Sequence, residues 1–483
     1  MDSVATIAEA LRTARAAREG WAASPARHRA EVAARWAALL LRHRERLMDQ
    51  LQADTGKSRV DAFEEVAAAV LTAQYYARTA PRLLRTRRHL GLLPGLITVA
   101  VRPEPLGVAG VILPSNHPLT LLAGDCLPAL VAGNAVLLNP APQTRPISRL
   151  AAELAVEAGL PPGLWQVLAG DVELGRRLCT ETDVVAFTGS AAVGAEVAAA
   201  AGAALVPCHL ELGGKNAMLV LADAPVRRAA RNAAQAAFAA AGQVCVGIEL
   251  VYVEQAVAER FTAALVAEVQ ALRLGNDAGY RGRIGPLLSP GGLARTRAQV
   301  EQAVELGATV LTGGRPRPDL GPLFHEPTVL SGTRPGMAVR DQETFGPVLC
   351  LQVVPDAEEA LPELAGGRLN ASVWTADRRR GSALAQRIRA GSVNVNEGYA
   401  ASYSSIAAPM GGFGRSGTGR RNGAEGLLRF TAPQAVATAR GVLLHSLPGV
   451  GPRRWATVFT WLLKVRQLAL ERFILGRGRS GPA

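Results

Sequence analysis

A carboxylate and a thiol stand 34 positions apart in this chain, each among small residues: Glu211-Leu212-Gly213-Gly214-Lys215-Asn216 and Gly242-Gln243-Val244-Cys245. Such a pair can run a two-step acyl chemistry, with cysteine as nucleophile and glutamate as the base that later activates water. Taken singly, neither half is distinctive. A lone cysteine is more often a small buried hydrophobe, and a Gly-Gly pair is more often a turn. Three other stretches carry polar groups at points where a strand would end. Pro114-Ser115-Asn116-His117-Pro118 presents an amide from a rigid turn, able to donate to a developing oxyanion. Phe187-Thr188-Gly189-Ser190 leads into a helix whose N-terminus offers unpaired N–H groups to a phosphate. Glu343-Thr344-Phe345-Gly346-Pro347 sets a carboxylate before a tight turn.

The elements around these groups follow from apolar patterning. Residues 4 to about 80 read as helices, with Leu39, Leu40, Leu41 and Leu47 and then Val66, Ala69, Val70 and Ala73 at helical spacing. Gly91 to Pro103, with Leu92-Leu93 and Ile97 to Val101, reads as a short hairpin excursion whose apolar residues need a cover. From Leu106 strands alternate with helices: Val108–Leu113, Asn134–Leu138 and Trp165–Leu168 read as strands, with helical stretches between them. That rhythm predicts an α/β fold with a doubly wound parallel sheet and a ligand crevice at the carboxyl ends of its strands.

At 483 residues, 49% of them hydrophobic, the chain is too long for one core and should divide into lobes. The net charge of +13 comes almost wholly from arginine, with lysine only at 57, 215 and 464. The Arg82–Arg88 and Arg378–Arg380 clusters are short and lack interleaved aromatics, so no nucleic-acid partner is expected. Five cysteines without paired spacing indicate neither a disulfide framework nor a metal knuckle, and a reducing cytoplasm is the expected setting. Met1 to Ala5 opens without a basic-then-apolar signal segment, and no apolar run reaches about 18 residues.

In their order along the chain these boxes resemble the aldehyde dehydrogenase superfamily, from about residue 5 to 440. The boxes are Asn116 between Pro114 and Pro118, Phe187 to Ser190, Glu211 to Lys215, Gly242 to Cys245, Glu343 to Pro347, Pro409-Met410-Gly411-Gly412 and Ser416-Gly417-Thr418-Gly419-Arg420. Gly391 to Tyr399 and Gly419 to Gly426 look most like bacterial succinate-semialdehyde dehydrogenases. The resemblance implies two doubly wound, Rossmann-like parallel-sheet domains plus a small oligomerisation element. The cofactor-binding domain would take 1–84 and 105–213, the catalytic domain 214–412, the oligomerisation element 85–104 and 413–440, and a basic amphipathic tail 441–483.

It also implies roles. Cys245 as thiolate attacks the aldehyde, and the Asn116 amide and the Cys245 N–H hold the oxyanion. Hydride passes to NAD or NADP, and Glu211 activates the water that hydrolyses the thioester. Ser190, Gly189, Leu212 and Gly213 would line the cofactor, with Glu343 and Phe345 at the nicotinamide ribose and Asn139 at the adenosine ribose. No metal is implied. The family's usual Lys-Pro-Ser-Glu reads Asn139-Pro140-Ala141-Pro142 here, which removes a charged donor and an acid and leaves NAD versus NADP open. The expected activity is oxidation of a small aldehyde such as succinate semialdehyde by a homodimer or homotetramer. The alternative is a catalytically weak or silent relative that acts as a binding or assembly protein. Tyr399, Ser402, Tyr403, Ser404 and Ser405 would lie at the substrate tunnel mouth. In the tail, Val458, Trp461, Leu462, Val465 and Leu468 form one helical stripe, to be covered by protein or by a weak membrane-surface contact.

Overall fold

The computed structural model describes residues 7–90, 97–364, 366, 368–440 and 449–477. It resolves two compact units, one of residues 1–84 and 104–432, the other of residues 85–103 and 433–483.

The larger unit begins with four helices, Ile7–Ala23, Ala26–Arg42, Arg44–Thr55 and Arg59–Leu83. Gly56, in the left-handed conformation, stops the third, and the Ser58 hydroxyl caps the fourth by accepting from the Asp61 N–H. Leu39, Leu40, Leu47, Val66, Ala69, Val70 and Ala73 are buried as their spacing requires. Leu41 is 48% exposed, since three consecutive leucines cannot share one face of a helix.

Two sheets follow. The first has six strands in the order Gly417–Thr418, Cys208–Leu212, Val184–Gly189, Val108–Leu113, Ala135–Pro140 and Trp165–Val167, parallel except for the two-residue edge. The second has seven, in the order Thr309–Thr312, Thr328–Ser331, Val348–Val354, Leu250–Glu254, Ala217–Val220, Arg368–Trp374 and Ala390–Val395, parallel except for the first. Alternate residues of its central strands enter separate cores. Met218, Val220, Val251 and Val253 pack with Phe238, Phe261 and Leu265 on one face, and Ala217, Leu219, Leu250 and Tyr252 pack with Val300, Ala360 and Leu364 on the other. Helices therefore cover both faces of this sheet, the arrangement that makes parallel strands apolar throughout.

The smaller unit contains most of a three-stranded sheet of Arg87–Leu90, Ile97–Pro105 and Thr431–Ala439, of which residues 104–105 and 431–432 go with the larger unit, and the helix Pro452–Arg477. Arg87–Leu90 and Ile97–Pro105 pair antiparallel, so the second strand falls in the expected hairpin of 91–103 and the first lies ahead of it. Leu92 and Leu93 and the tail's first residues, 441–448, lie outside the described residues. Residues 413–432 go with the larger unit. Gly417–Thr418 pairs with Cys208–Leu212, and Leu427 and Phe430 are buried in the same core as Leu119 and Leu122. Of the stretch 413–440, only Thr431–Ala439 joins the hairpin sheet, because apolar residues before it are needed in the first core.

Candidate active site

Asn116 sits in the turn after Val108–Leu113, buried, and its Nδ2 donates to the Gln243 carbonyl at 2.9 Å. The amide is thus fastened to the loop that carries Cys245, with one N–H left for an oxyanion. Behind it lies a buried cluster. Lys57 donates to the Asn116 carbonyl at 2.8 Å and pairs with Glu65. The other Glu65 oxygen accepts from the Leu119 and Thr120 N–H groups, in the first turn of the helix Pro118–Ala132. Burial, helped by the Lys57 charge, holds the His117 imidazole well below its ordinary pKa, so it is neutral.

Ala240, Ala241 and Gly242 take φ of 47°, 57° and 73° in succession, a left-handed turn that aims the chain at Cys245. Each alanine there costs roughly 1–2 kcal/mol. The turn is held by Asp61, which accepts from the Ala240 N–H at 3.1 Å, and by Gln243, which donates to the Ala240 carbonyl and accepts from Leu288 N–H. A Cβ on Gly242 would stand 2.1 Å from the Gly346 carbonyl oxygen. Gly242→Ala is therefore expected to displace the loop and lower kcat about 100-fold, the cost of a misplaced reacting group. Steady-state kinetics beside a thermal melt checks this, and near-normal kcat would refute it.

Beyond the turn, Asn216 Nδ2 donates to the Cys245 carbonyl at 2.7 Å, which joins the two sequence boxes physically. Cys245 is partly exposed and packs in a cluster with Val244, Met410, Tyr399 and Tyr403. Its thiol is pushed up to about 12, chiefly by burial, with Glu211 and Glu343 adding and Arg421 opposing. The resting group is therefore the thiol, and the expected thiolate has to form as the substrate reacts.

Glu211, near the end of Cys208–Leu212, lies between Thr188 and Gly417 of the flanking strands. It is buried, and neither carboxylate oxygen has a hydrogen-bond partner among the described residues. Burial raises its pKa to about 7 against the opposing charges of Arg421 and Arg429. Those arginines belong to a buried group that the sequence did not reveal. Arg421 grips Asp125 through two bonds of 2.9 and 2.7 Å and donates to Thr188 at 2.7 Å, while Arg429 pairs with the same Asp125. The two cations outweigh burial and hold the Asp125 carboxyl below its usual range.

Glu343 accepts from the Gly214 N–H at 3.1 Å and lies so close to Gly213 that a Cβ there would be 2.0 Å from its carboxylate. Burial, with Glu249 nearby, raises it to about 7. Its turn is anchored by Glu249, which accepts from the Thr344 and Phe345 N–H groups and pairs with Lys215. Phe345 itself takes φ of 50°. Ser190 is exposed at the start of the helix Ala191–Ala203 and accepts from the Val193 N–H. Gly189 ends the neighbouring strand, and Leu212 packs under Gly194 of that helix. Asn139 donates to the Asp171 carbonyl at 3.4 Å and leaves a buried Oδ1 without a partner among the described residues. An orphaned acceptor and an open helix N-terminus, at the carboxyl ends of two strands that flank Val108–Leu113, fit a ribose hydroxyl and a phosphate. Cys245 and Glu343 come from the opposite kind of place, the loops that enter the amino ends of Leu250–Glu254 and Val348–Val354.

A cavity of about 650 Å³ is lined by Phe63, Leu71, His117, Val244, Tyr399 and Tyr403. Ser404 also lines it, whereas Ser402 turns inward to Asn394 and Ser405 bonds its own helix. Arg283 and Glu64 stand on its wall.

Comparison with known proteins agrees over nearly the whole chain. Residues 2–436 match the aldehyde dehydrogenase family. A Mycobacterium ulcerans (strain Agy99) protein named "Putative succinate-semialdehyde dehydrogenase", NADP(+) type, is 44% identical over 93% of this chain and 87% of its own length. A Methylomonas sp. protein named "4,4'-diapolycopene aldehyde oxidase" is 35% identical over 91% of this chain and 83% of its own. The solved Mycobacterium tuberculosis aldehyde dehydrogenase complexed with NAD+ superposes with a TM-score of 0.86 at 31% identity, covering 92% of each chain. The chain belongs to the aldehyde dehydrogenase family and is an aldehyde-oxidising enzyme.

Proposed function

We propose that this enzyme converts a small semialdehyde, succinate semialdehyde first among them, to its carboxylate on Cys245, with NAD or NADP as oxidant. The observation that carries the reading is Glu211, a buried carboxylate with both oxygens unpartnered and a pKa of about 7, near enough to the Cys245 thiol to shift its ionisation. The Cys245 sulfur adds to the aldehyde carbon, and the free Asn116 N–H meets the oxygen that gains charge. The nicotinamide group, when bound, supplies the hydride acceptor. Glu211 then takes a proton from the water that releases the acid from the Cys245 thioester. Asn139 and Ser190 would hold the adenosine ribose and the phosphates, Gly189, Leu212 and Gly213 would shape that wall, and Glu343 and Phe345 would sit at the nicotinamide ribose. Pro142 sets no carboxylate beside Asn139, so a 2′-phosphate meets no repulsion from that position, and NADP is accommodated as well as NAD.

Arg283 supports the choice of a semialdehyde. It lines the cavity and makes no ion pair among the described residues, with Glu64 within electrostatic reach on the same wall, whereas Arg231 is paired with Glu268. Arg283→Gln is expected to raise KM for succinate semialdehyde about tenfold or more and to leave propanal unchanged, as loss of a charge-assisted bond requires. The assay follows reduced-cofactor absorbance with both aldehydes and both cofactors. Equal effects on the two aldehydes would remove the semialdehyde assignment, and no turnover of any aldehyde would leave a silent binding or assembly protein. Glu64, on the same wall, is raised to about 7 by burial and by Asp61. As pH falls below 7 it loses its charge and ceases to repel an anionic substrate.

A homodimer or homotetramer is part of the proposal, because Thr431–Ala439 is an exposed strand at the sheet edge, a surface that invites pairing. The five free cysteines suit a reducing cytoplasm.

A further inference from the structure

We propose that the helix Pro452–Arg477 docks the enzyme on the surface of an anionic lipid bilayer, lying along it. The helix lies beyond residue 436, where the family match ends. Its 26 residues extend about 39 Å at 1.5 Å each. Val458, Trp461, Val465 and Leu468 recur at intervals of three and four residues, which places them in one stripe, and all four are exposed, Trp461 by 63% and Leu468 by 58%. A polar stripe of Arg453, Thr457, Thr460, Lys464 and Gln467 keeps the same period and runs alongside it. Nothing between residues 449 and 468 is acidic, while Arg453, Arg454, Lys464 and Arg466 are all exposed.

Charge selects the occupant. A second copy of the helix packed about a two-fold axis would set these four cations against the same four, in a chain that already carries +13. An anionic lipid surface neutralises them and takes the indole of Trp461 at the headgroup level, where that ring is favoured. No helix among the described residues is long and apolar enough to cross a membrane, so this one lies on the surface. Lysine and arginine stems let the charged heads stay wet while the stripe enters the acyl boundary.

The test is co-sedimentation of the full-length enzyme with vesicles of phosphatidylcholine alone and of phosphatidylcholine with phosphatidylglycerol in equal parts. The expected result is pelleting with the anionic vesicles and binding to neutral ones at least about tenfold weaker, the worth of one or two basic contacts. Binding should also fall in about 1 M salt, where the Debye length is about 3 Å. The double variant Trp461→Glu, Leu468→Glu should lose vesicle binding while it keeps its aldehyde turnover in solution and its mass by light scattering. No pelleting with either vesicle, or equal pelleting with both, overturns the proposal. A double variant that drops to a smaller oligomer, with no vesicle binding by the parent enzyme, assigns the stripe to a second copy of this chain instead.

Discussion

Cys245→Ala is expected to lower kcat/KM for every aldehyde by about 10⁴-fold or more, since loss of a covalent nucleophile leaves only binding and oxyanion stabilisation. No neighbouring thiol can substitute. Cys126, Cys179 and Cys350 are buried, and Cys208 lies at the start of a strand whose other end carries Glu211. The fold should tolerate the change, because Cys245 is partly exposed and its loop is held by the side-chain amides of Asn216 and Gln243. Stability by denaturant titration is therefore expected to stay within about 1 kcal/mol of the parent. The decisive measurement pairs that titration with single-turnover formation of reduced cofactor. A folded alanine variant that still produced more than a trace would take the chemistry away from this residue.

Much of this arrangement was legible in the sequence because it rests on local patterns. The strand–helix alternation from Leu106 onward gave the first sheet, and Pro114 to Pro118 and Phe187 to Ser190 follow strand ends as expected, whereas Glu343 to Pro347, expected at a strand end, lies in the loop that enters the amino end of Val348–Val354. Less legible was whatever depends on long-range pairing. Asp125 looked like one polar residue in an otherwise apolar helix, and only the fold brings it to Arg421 and Arg429, about 300 positions away. Leaving such an ion without its partner costs about 3–5 kcal/mol, so these contacts are structural as well as electrostatic. One clue was present. Of only three lysines in an arginine-rich chain, Lys57 and Lys215 are the two paired with Glu65 and Glu249, one buried behind Asn116 and the other half-buried beside Glu343. Scarcity marked positions where a flexible ammonium serves and a planar guanidinium does not. Residues 413–432, which the resemblance put with the hairpin element, go with the larger unit, where Gly417–Thr418 pairs with Cys208–Leu212 and Leu427 and Phe430 enter the first core.

Glu211→Gln is expected to separate the two halves of the reaction. The amide cannot take the proton of the hydrolytic water, so steady-state turnover should fall about 10²–10⁴-fold, the usual worth of a general base. The first half should survive as a burst of one reduced cofactor per active site. The thiol should respond in the other direction. At Cys245 the Glu211 charge helps burial push the thiol up to about 12, and its removal makes the thiolate easier to form. Alkylation by iodoacetamide should therefore be faster in the variant than in the parent enzyme at the same pH. In the parent, Glu211 with a pKa of about 7 is protonated at pH 6 and mostly ionised at pH 8. Deacylation should rise across that interval, and this limb should vanish in the glutamine variant. A residue that merely supported the fold would slow burst and steady state together and slow alkylation as well. A missing burst, or a pH limb that persists without Glu211, would assign the base to another group, with Glu343, also near 7 and also within electrostatic reach of Cys245, the next to be tested.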